Sequence, residues 1–370
     1  MKTSLLLSSA ALLIAGSAYA ADLPAKKAAP AAAPSAGCPA YGAGFITIPS
    51  TDSCIQISGY VRSDNTYTAN VVRPAKTYYG LGYKFVVNFD VRNNTELGTV
   101  RSFIAVNAAS GAPSTGTLMT DKAYVELGGF RAGAALSVVD FDNGYNNSLV
   151  SYQPTNVGQL AYTATVGSTA FTVAAEAAQD NNDAGINKAS RPDLMVAVSS
   201  KVSDAVTVKG GLVSHEVVGS STGTAQGFAG IGRVDVAFAP VKLILNAAYA
   251  NGAGAYVDNN GSSSYQGPLN NTMGGIIRDS ASDSSNLSTA YDYTAALEYA
   301  LGNHLAYAYT GYENGTQDVN SYKRTDYGAG FKYTVAKGLY VRPEIYNRVE
   351  SKNGTDTTSN VFYLRIRRDF

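Results

Sequence analysis

The sequence predicts an all-β fold, a transmembrane antiparallel β-barrel of 16 strands, and three observations predict it. Segment after segment alternates apolar with polar side chains at a period of two, as a strand does when its faces meet different surroundings. Short joints alternate with longer ones, the pattern of a barrel with tight periplasmic turns at one rim and long external loops at the other. Phe130, Phe171, Phe238, Tyr299, Tyr333 and Phe370 all fall at strand ends beside short joints and share the apolar parity. That parity places them in one aromatic girdle at a lipid interface.

Composition agrees. In 370 residues there are 37 Gly, 26 Tyr, no Trp and 2 His, which suits alternating strands better than a helical enzyme. Lys+Arg and Asp+Glu both number 28, so no bulk charge argues for nucleic acid.

Residues 1–20 read as a signal peptide: Lys2 gives the positive start, residues 5–14 the apolar stretch, and Ala18-Tyr19-Ala20 the small-x-small cleavage site. Residues 21–37, rich in Ala, Pro and Lys, bury too little to order themselves and read as a flexible lead-in. Cys38 and Cys54 are the 2 cysteines, and the oxidising compartment implied by the leader makes them a disulfide closing a periplasmic loop over 38–54. Such a loop contributes roughly 3 kcal/mol in the chain-entropy account. No His stands near in sequence, so the pair reads as structural rather than zinc-binding.

The barrel is expected over 55–370, with strands at about 55–67, 77–91, 99–109, 120–128, 130–139, 159–167, 169–179, 191–200, 205–217, 226–238, 241–250, 290–300, 304–313, 325–335, 339–349 and 359–370. The tight joints are Gly128-Gly129, Gly167-Ser168, Ser203-Asp204, Ala239-Pro240, Gly302-Asn303 and Ala336-Lys337-Gly338, with a slightly longer one over 93–98. The long joints fall between them, at 68–76, 110–119, 140–158, 180–190, 218–225, 251–289, 314–324 and 350–358. After the leader no run approaches the ~20 apolar residues of a spanning helix. Crossing is therefore left to strands closed into a barrel, which also satisfies every backbone group in lipid.

The last strand sets Phe362, Leu364 and Ile366 on one face against Tyr363, Arg365 and Arg367 on the other. The first sets Ile55, Ile57 and Val61 against Gln56, Ser58, Tyr60 and Arg62. Pairing these two strands removes the exposed edges of the sheet. A barrel of this size is too wide for side chains to fill and leaves an aqueous channel.

The segment Cys38-Pro-Ala-Tyr-Gly-Ala-Gly-Phe-Ile-Thr-Ile-Pro-Ser-Thr-Asp-Ser-Cys54, followed by Ile55-Gln-Ile-Ser-Gly-Tyr-Val-Arg62, resembles the N-terminal signature of the alphaproteobacterial general porins. That signature is a cysteine-bounded loop with a Tyr-Gly-Ala-Gly core and an Ile-Pro step, then a strand ending in Gly-Tyr-Val-Arg. Weaker resemblance runs through the rest of the mature chain. It implies a homotrimer of sixteen-stranded barrels among outer-membrane lipids, passing small hydrophilic solutes and ions by passive diffusion without cofactor or catalytic residue. It also implies an aromatic C terminus that is presented to the assembly machinery. The chain departs from the family in its lead-in and in the Ser/Asn-rich sixth external loop over 251–289, which bears on substrate preference.

A diffusion pore needs a narrow section with charge on its walls. By position, 140–158 is the third external loop, which folds into the lumen in proteins of this kind; it carries Asp140 and Asp142, with Tyr145, Asn146 and Asn147 after them. Facing it on lumen parity are Arg62, Lys84, Arg101 and Arg365, with Lys122, Arg131, Arg342 and Arg348 sharing that parity. Opposed acidic and basic walls would set up a transverse field across the constriction. Two further readings are a substrate-selective channel, for anions if Arg and Lys dominate or for sugars if Tyr line the lumen, and an adhesin or receptor barrel. An enzyme is disfavoured because His215 and His304 fall near opposite rims. Gly230-Ile231-Gly232 and Gly328-Ala329-Gly330 echo phosphate-binding glycines but lie within strands. A calcium-like start at Asp180 lacks its closing acid, so no metal is expected. Gly59, Ala132 and Ala134, small residues on the apolar parity, suit close contact between barrels.

Overall fold

The computed structural model describes residues 37–70, 77–110, 118–141, 156–178, 190–218, 224–257, 289–317 and 320–370. The leader and nearly all of the lead-in lie outside these residues. The strands are β1 (Ile46–Thr47), β2 (Cys54–Asn70), β3 (Thr77–Thr95), β4 (Gly98–Ser110), β5 (Met119–Leu127), β6 (Phe130–Leu136), β7 (Asn156–Val166), β8 (Thr169–Glu176) and β9 (Asp193–Lys201). They continue as β10 (Val206–Val218), β11 (Thr224–Phe238), β12 (Val241–Asn251), β13 (Thr289–Leu301), β14 (His304–Gln317), β15 (Asn320–Ala336), β16 (Leu339–Lys352) and β17 (Thr355–Asp369). From β2 onward each pairs antiparallel with the next, and β17 pairs back onto β2 with Arg365 opposite Asp64. The sixteen staves are thus β2 to β17, the number expected, and the ring is closed.

The period of two does what it predicts. On β17, Phe362 and Ile366 are 44% and 43% exposed on the outside, whereas Tyr363 and Arg365 between them are 2% and 6% exposed. Outward apolar side chains such as Val61, Ile104, Leu160, Leu212 and Ile345 form a surface suited to lipid. Phe130, Phe171, Phe238, Tyr299, Tyr333 and Phe370 are also outward and exposed, with the Phe130 ring 5.4 Å from that of Tyr162.

Cys38 and Cys54 are bonded, Sγ to Sγ at 2.04 Å. The loop they close carries β1, which pairs with the base of β2 through Ile46 and Ile55, and a single 3-10 turn, Pro39–Tyr41. Phe45 is buried there, beneath the Arg92 guanidinium at 4.9 Å.

Several boundaries differ from expectation. The joints expected at 314–324 and 350–358 are not long loops: β14 pairs with β15 up to Gln317↔Asn320, and β16 with β17 up to Lys352↔Thr355. Asn353 and Gly354 have φ of 49° and 78°, the left-handed pair that a tight hairpin turn demands. Their polar flanks read as loop because above the lipid band both faces meet water, so the apolar beat stops while the ladder continues. Strand β6 ends at Leu136 rather than 139, and residues 137–141 turn inward. The sixth loop also begins inside: Ala253, Tyr256 and Val257 are fully buried. Gly59 has an explanation within one barrel, since a Cβ there would meet the Val86 carbonyl oxygen at 2.1 Å and the Phe370 ring at 3.1 Å.

Candidate functional site: two walls of the lumen

Closure builds the first wall. Across the β17–β2 seam Arg367 stands opposite Arg62 and Arg365 opposite Asp64. One strand further, Arg62 stands opposite Lys84, and on the other side Arg365 stands opposite Arg342. The Asp64 carboxylate, wholly buried, takes Arg62 at 2.8 Å and Arg365 at 2.6 Å, and accepts the Tyr363 hydroxyl. Arg367 is held by Asp369 at 2.6 Å and lies 3.7 Å from the centre of the Tyr60 ring. Arg365 contacts both Asp64 oxygens and lies 5.3 Å from the centre of the Tyr363 ring; a guanidinium fixed by an acid and a ring face keeps its position at little further entropic cost. Five cations here, Arg62, Lys84, Arg342, Arg365 and Arg367, face four carboxylates, Asp64, Asp121, Asp369 and Glu344, so the described side chains of this wall carry a small net positive charge.

Arg62, Lys84 and Arg365 therefore come together, but Arg101 does not join them. It lies between Asp90 at 3.0 Å and Glu126 at 2.8 Å, with Arg131 on Glu126 at 2.7 Å and Arg92 on Asp90 at 2.8 Å. Its cross-strand partner is Arg92, eight residues along β3 from Lys84, or roughly 26 Å of strand. This second cluster is nearer the short-turn rim. Arg348 forms a third with Arg324 around Asp326, at 3.2 and 2.6 Å. Lys122 stands opposite Ala105, beside the bulge where β4 and β5 shift register.

The other wall is half a turn round the ring, on β8 to β11. Residues 137–141 lie against its inner face. The Val138 N–H donates to Glu176 Oε1 at 2.8 Å, and Arg233 Nη1 donates to the Phe141 carbonyl oxygen at 2.6 Å. Val139 fills the place of the side chain that Gly211 lacks, for a Cβ there would sit 2.5 Å from Val139 Cγ1. Asp140 is half-buried on this wall, in the company of Lys209, Arg233, Asp235 and Lys242. Asp142, Tyr145, Asn146 and Asn147 lie outside the described residues. The described part of this wall thus mixes both charges rather than being acidic throughout.

Two inward tyrosines are committed to a carboxylate. Tyr307 and Tyr309 of β14 lie across β15, where Gly330 and Gly328 leave room for them, and both donate to Glu344, at 2.5 and 2.7 Å. Those glycines, which echoed a phosphate loop, are thus seats for aromatic rings.

Sequence parity found the arginines but passed over Asp64, Asp90 and Asp326, which hold them. A signal was present: Arg62/Asp64, Asp90/Arg92, Arg233/Asp235, Arg324/Asp326 and Arg367/Asp369 are all opposite charges two residues apart, hence on one face of a strand. All five pairs are in contact.

A family model described as a porin subfamily matches residues 28–364. The chain is 34% identical over 197 residues to the porin Omp2a of Brucella ovis, covering 44% of this chain and 56% of that protein. It is 33% identical over 205 residues to the porin Omp2b of Brucella canis, covering 49% and 55%. The chain thus spans about half the length of the curated relatives it matches. Among solved structures, the outer membrane channel DcaP of Acinetobacter baumannii superposes with a TM-score of 0.71 at 16% identity, over 88% of this chain and 99% of that one. An anion-selective porin from Comamonas acidovorans gives 0.59 at 12% identity, over 86% and 100%. At such identities the likeness concerns the fold.

Proposed function

The chain belongs to the porin subfamily, and on that premise we propose that it forms a water-filled channel in the Gram-negative outer membrane for passive diffusion of small hydrophilic solutes and ions. One observation carries the reading: the ring of strands is closed, with apolar side chains outside and ion pairs inside. Charged lumen walls are what a hydrated path requires, and no reacting group is. We read the protein as a channel rather than an enzyme, and as a homotrimer among outer-membrane lipids.

The narrow section, on this reading, lies between the Arg62/Lys84/Arg365 wall and the base of the third loop at Asp140 and Asp142. Arg101 contributes nearer the short-turn rim. The cation excess on the first wall gives a mild preference for anions. That cation excess favours an anion-selective channel as the second reading, ahead of a sugar channel.

Single-channel recording in a planar bilayer under a salt gradient tests this. Large steps closing in thirds and a reversal potential of anion-selective sign are expected. A folded barrel that passes no current would remove the pore reading and favour an adhesin or receptor.

A further inference from the structure

The first residues of the sixth loop, 252–257, lie inside the lumen. After Asn251 the chain turns at Gly252, whose φ of 66° is one that glycine adopts without strain. Residues 252–257 then run along the inner face of β9 to β11. The fit is close: a Cβ on Gly227 of β11 would lie 2.3 Å from the Gly252 carbonyl oxygen. Tyr256 is fully buried, and its hydroxyl donates to Asp193 Oδ2 at 2.5 Å. The other Asp193 oxygen meets His215 Nδ1 at 2.8 Å, and both of these side chains are also fully buried.

The third loop is seated on the same two strands. Ser137 and Val139 rest on Met195 and Gly211, next to Asp193 and His215 along β9 and β10. Val139, Phe141, Met195, Val213, Tyr256 and Val257 belong to one buried apolar cluster. Two lumen-facing glycines, Gly211 and Gly227, clear space for two different loops at one site. Among the described residues this is the largest buried apolar cluster of the barrel.

We propose that residues 252–257 are an internal strap, locked by Tyr256 on Asp193 and His215, that positions the base of the third loop at residues 137–141 and thereby sets the aperture. Tyr256 is a positioning residue: it acts on the pore through the loop. The aperture clause rests on the channel reading above, whereas the strap itself does not.

Two substitutions approach the strap from different sides. Tyr256→Phe removes only the hydroxyl, and Gly227→Ala pushes on the strap backbone without touching the third loop or the lock. Amide hydrogen exchange of the peptide covering 137–141 is measured in folded, heat-modifiable barrels, alongside single-channel current. Loss of the Tyr256 hydrogen bond predicts exchange about five- to tenfold faster in Tyr256→Phe, and displacement of the strap backbone predicts faster exchange in Gly227→Ala as well, each with added open-channel noise or substates. Exchange at 137–141 unchanged in both folded variants would overturn the proposal. So would failure of both to fold, which would make the strap part of the folding core instead. A parent barrel that carries no current, with exchange still altered in the variants, would remove the channel reading and leave the strap.

Discussion

Asp64 is the residue on which the first wall turns. It is fully buried, yet it compensates two guanidiniums from strands at opposite ends of the chain. Asp64→Asn keeps the shape and deletes the charge, leaving Arg62 and Arg365 short of a counter-ion. The expected result is a reversal potential shifted further toward anions, with a loss of about 1–3 kcal/mol in barrel stability, the range for leaving a buried polar group poorly satisfied. Recording under a salt gradient reads the first, and the temperature of the heat-modifiable gel shift the second. The arginines were legible in the sequence because parity alone sends them inward. Their partners were legible only in part: the two-residue spacing of Arg62 and Asp64 can be read directly, but the bond from Arg365 to Asp64 crosses the seam and needs the register. Arg101 shows the limit of parity, which gives the face a residue occupies and not its height.

Strands were the most readable elements, because lipid on one side and water on the other impose a period of two. Loop lengths were less so. The polar upper parts of β14 to β17 have water on both faces, so nothing in their apolar pattern separates an extended hairpin from a loop. Inward-turning segments were hardest: residues 252–257 read as the start of an external loop, since Ala253 and Tyr256 have no period to mark them. The β14–β15 pair offers a test at this scale. Gly330→Ala would place a Cβ 2.3 Å from the Tyr307 hydroxyl, which Glu344 holds at 2.5 Å and which therefore cannot yield freely. Overpacking of this kind costs about 1–3 kcal/mol, so a lower unfolding temperature is expected, and an equal temperature in Gly330→Ala would show that the ring has room to move.

For the molecule as a whole, the barrel and the disulfide-bounded loop are separate sources of stability. Replacing Cys38 and Cys54 by Ser should lower stability by about 3 kcal/mol or less. Conductance should stay at the parent value, because the loop docks on the base of β2, with its Phe45 against Arg92 of β3, away from both walls. A changed conductance in the double variant would place this loop in the permeation path.

The seam between β17 and β2 also has a temporal meaning. The bond from Arg365 to Asp64 spans 301 residues of sequence, among the most distant contacts of the described residues, and closing so long a loop carries an entropic cost that slows its formation. Until that seam zips, the sheet keeps two open edges and Asp64 has only Arg62 of its two guanidiniums. Joining the edges delivers Arg365, Arg367 and Tyr363 to the wall in one step. Closing the ring and completing the charge pattern of the first wall are therefore one event. A half-assembled barrel would differ from the finished one in selectivity as well as in being leaky.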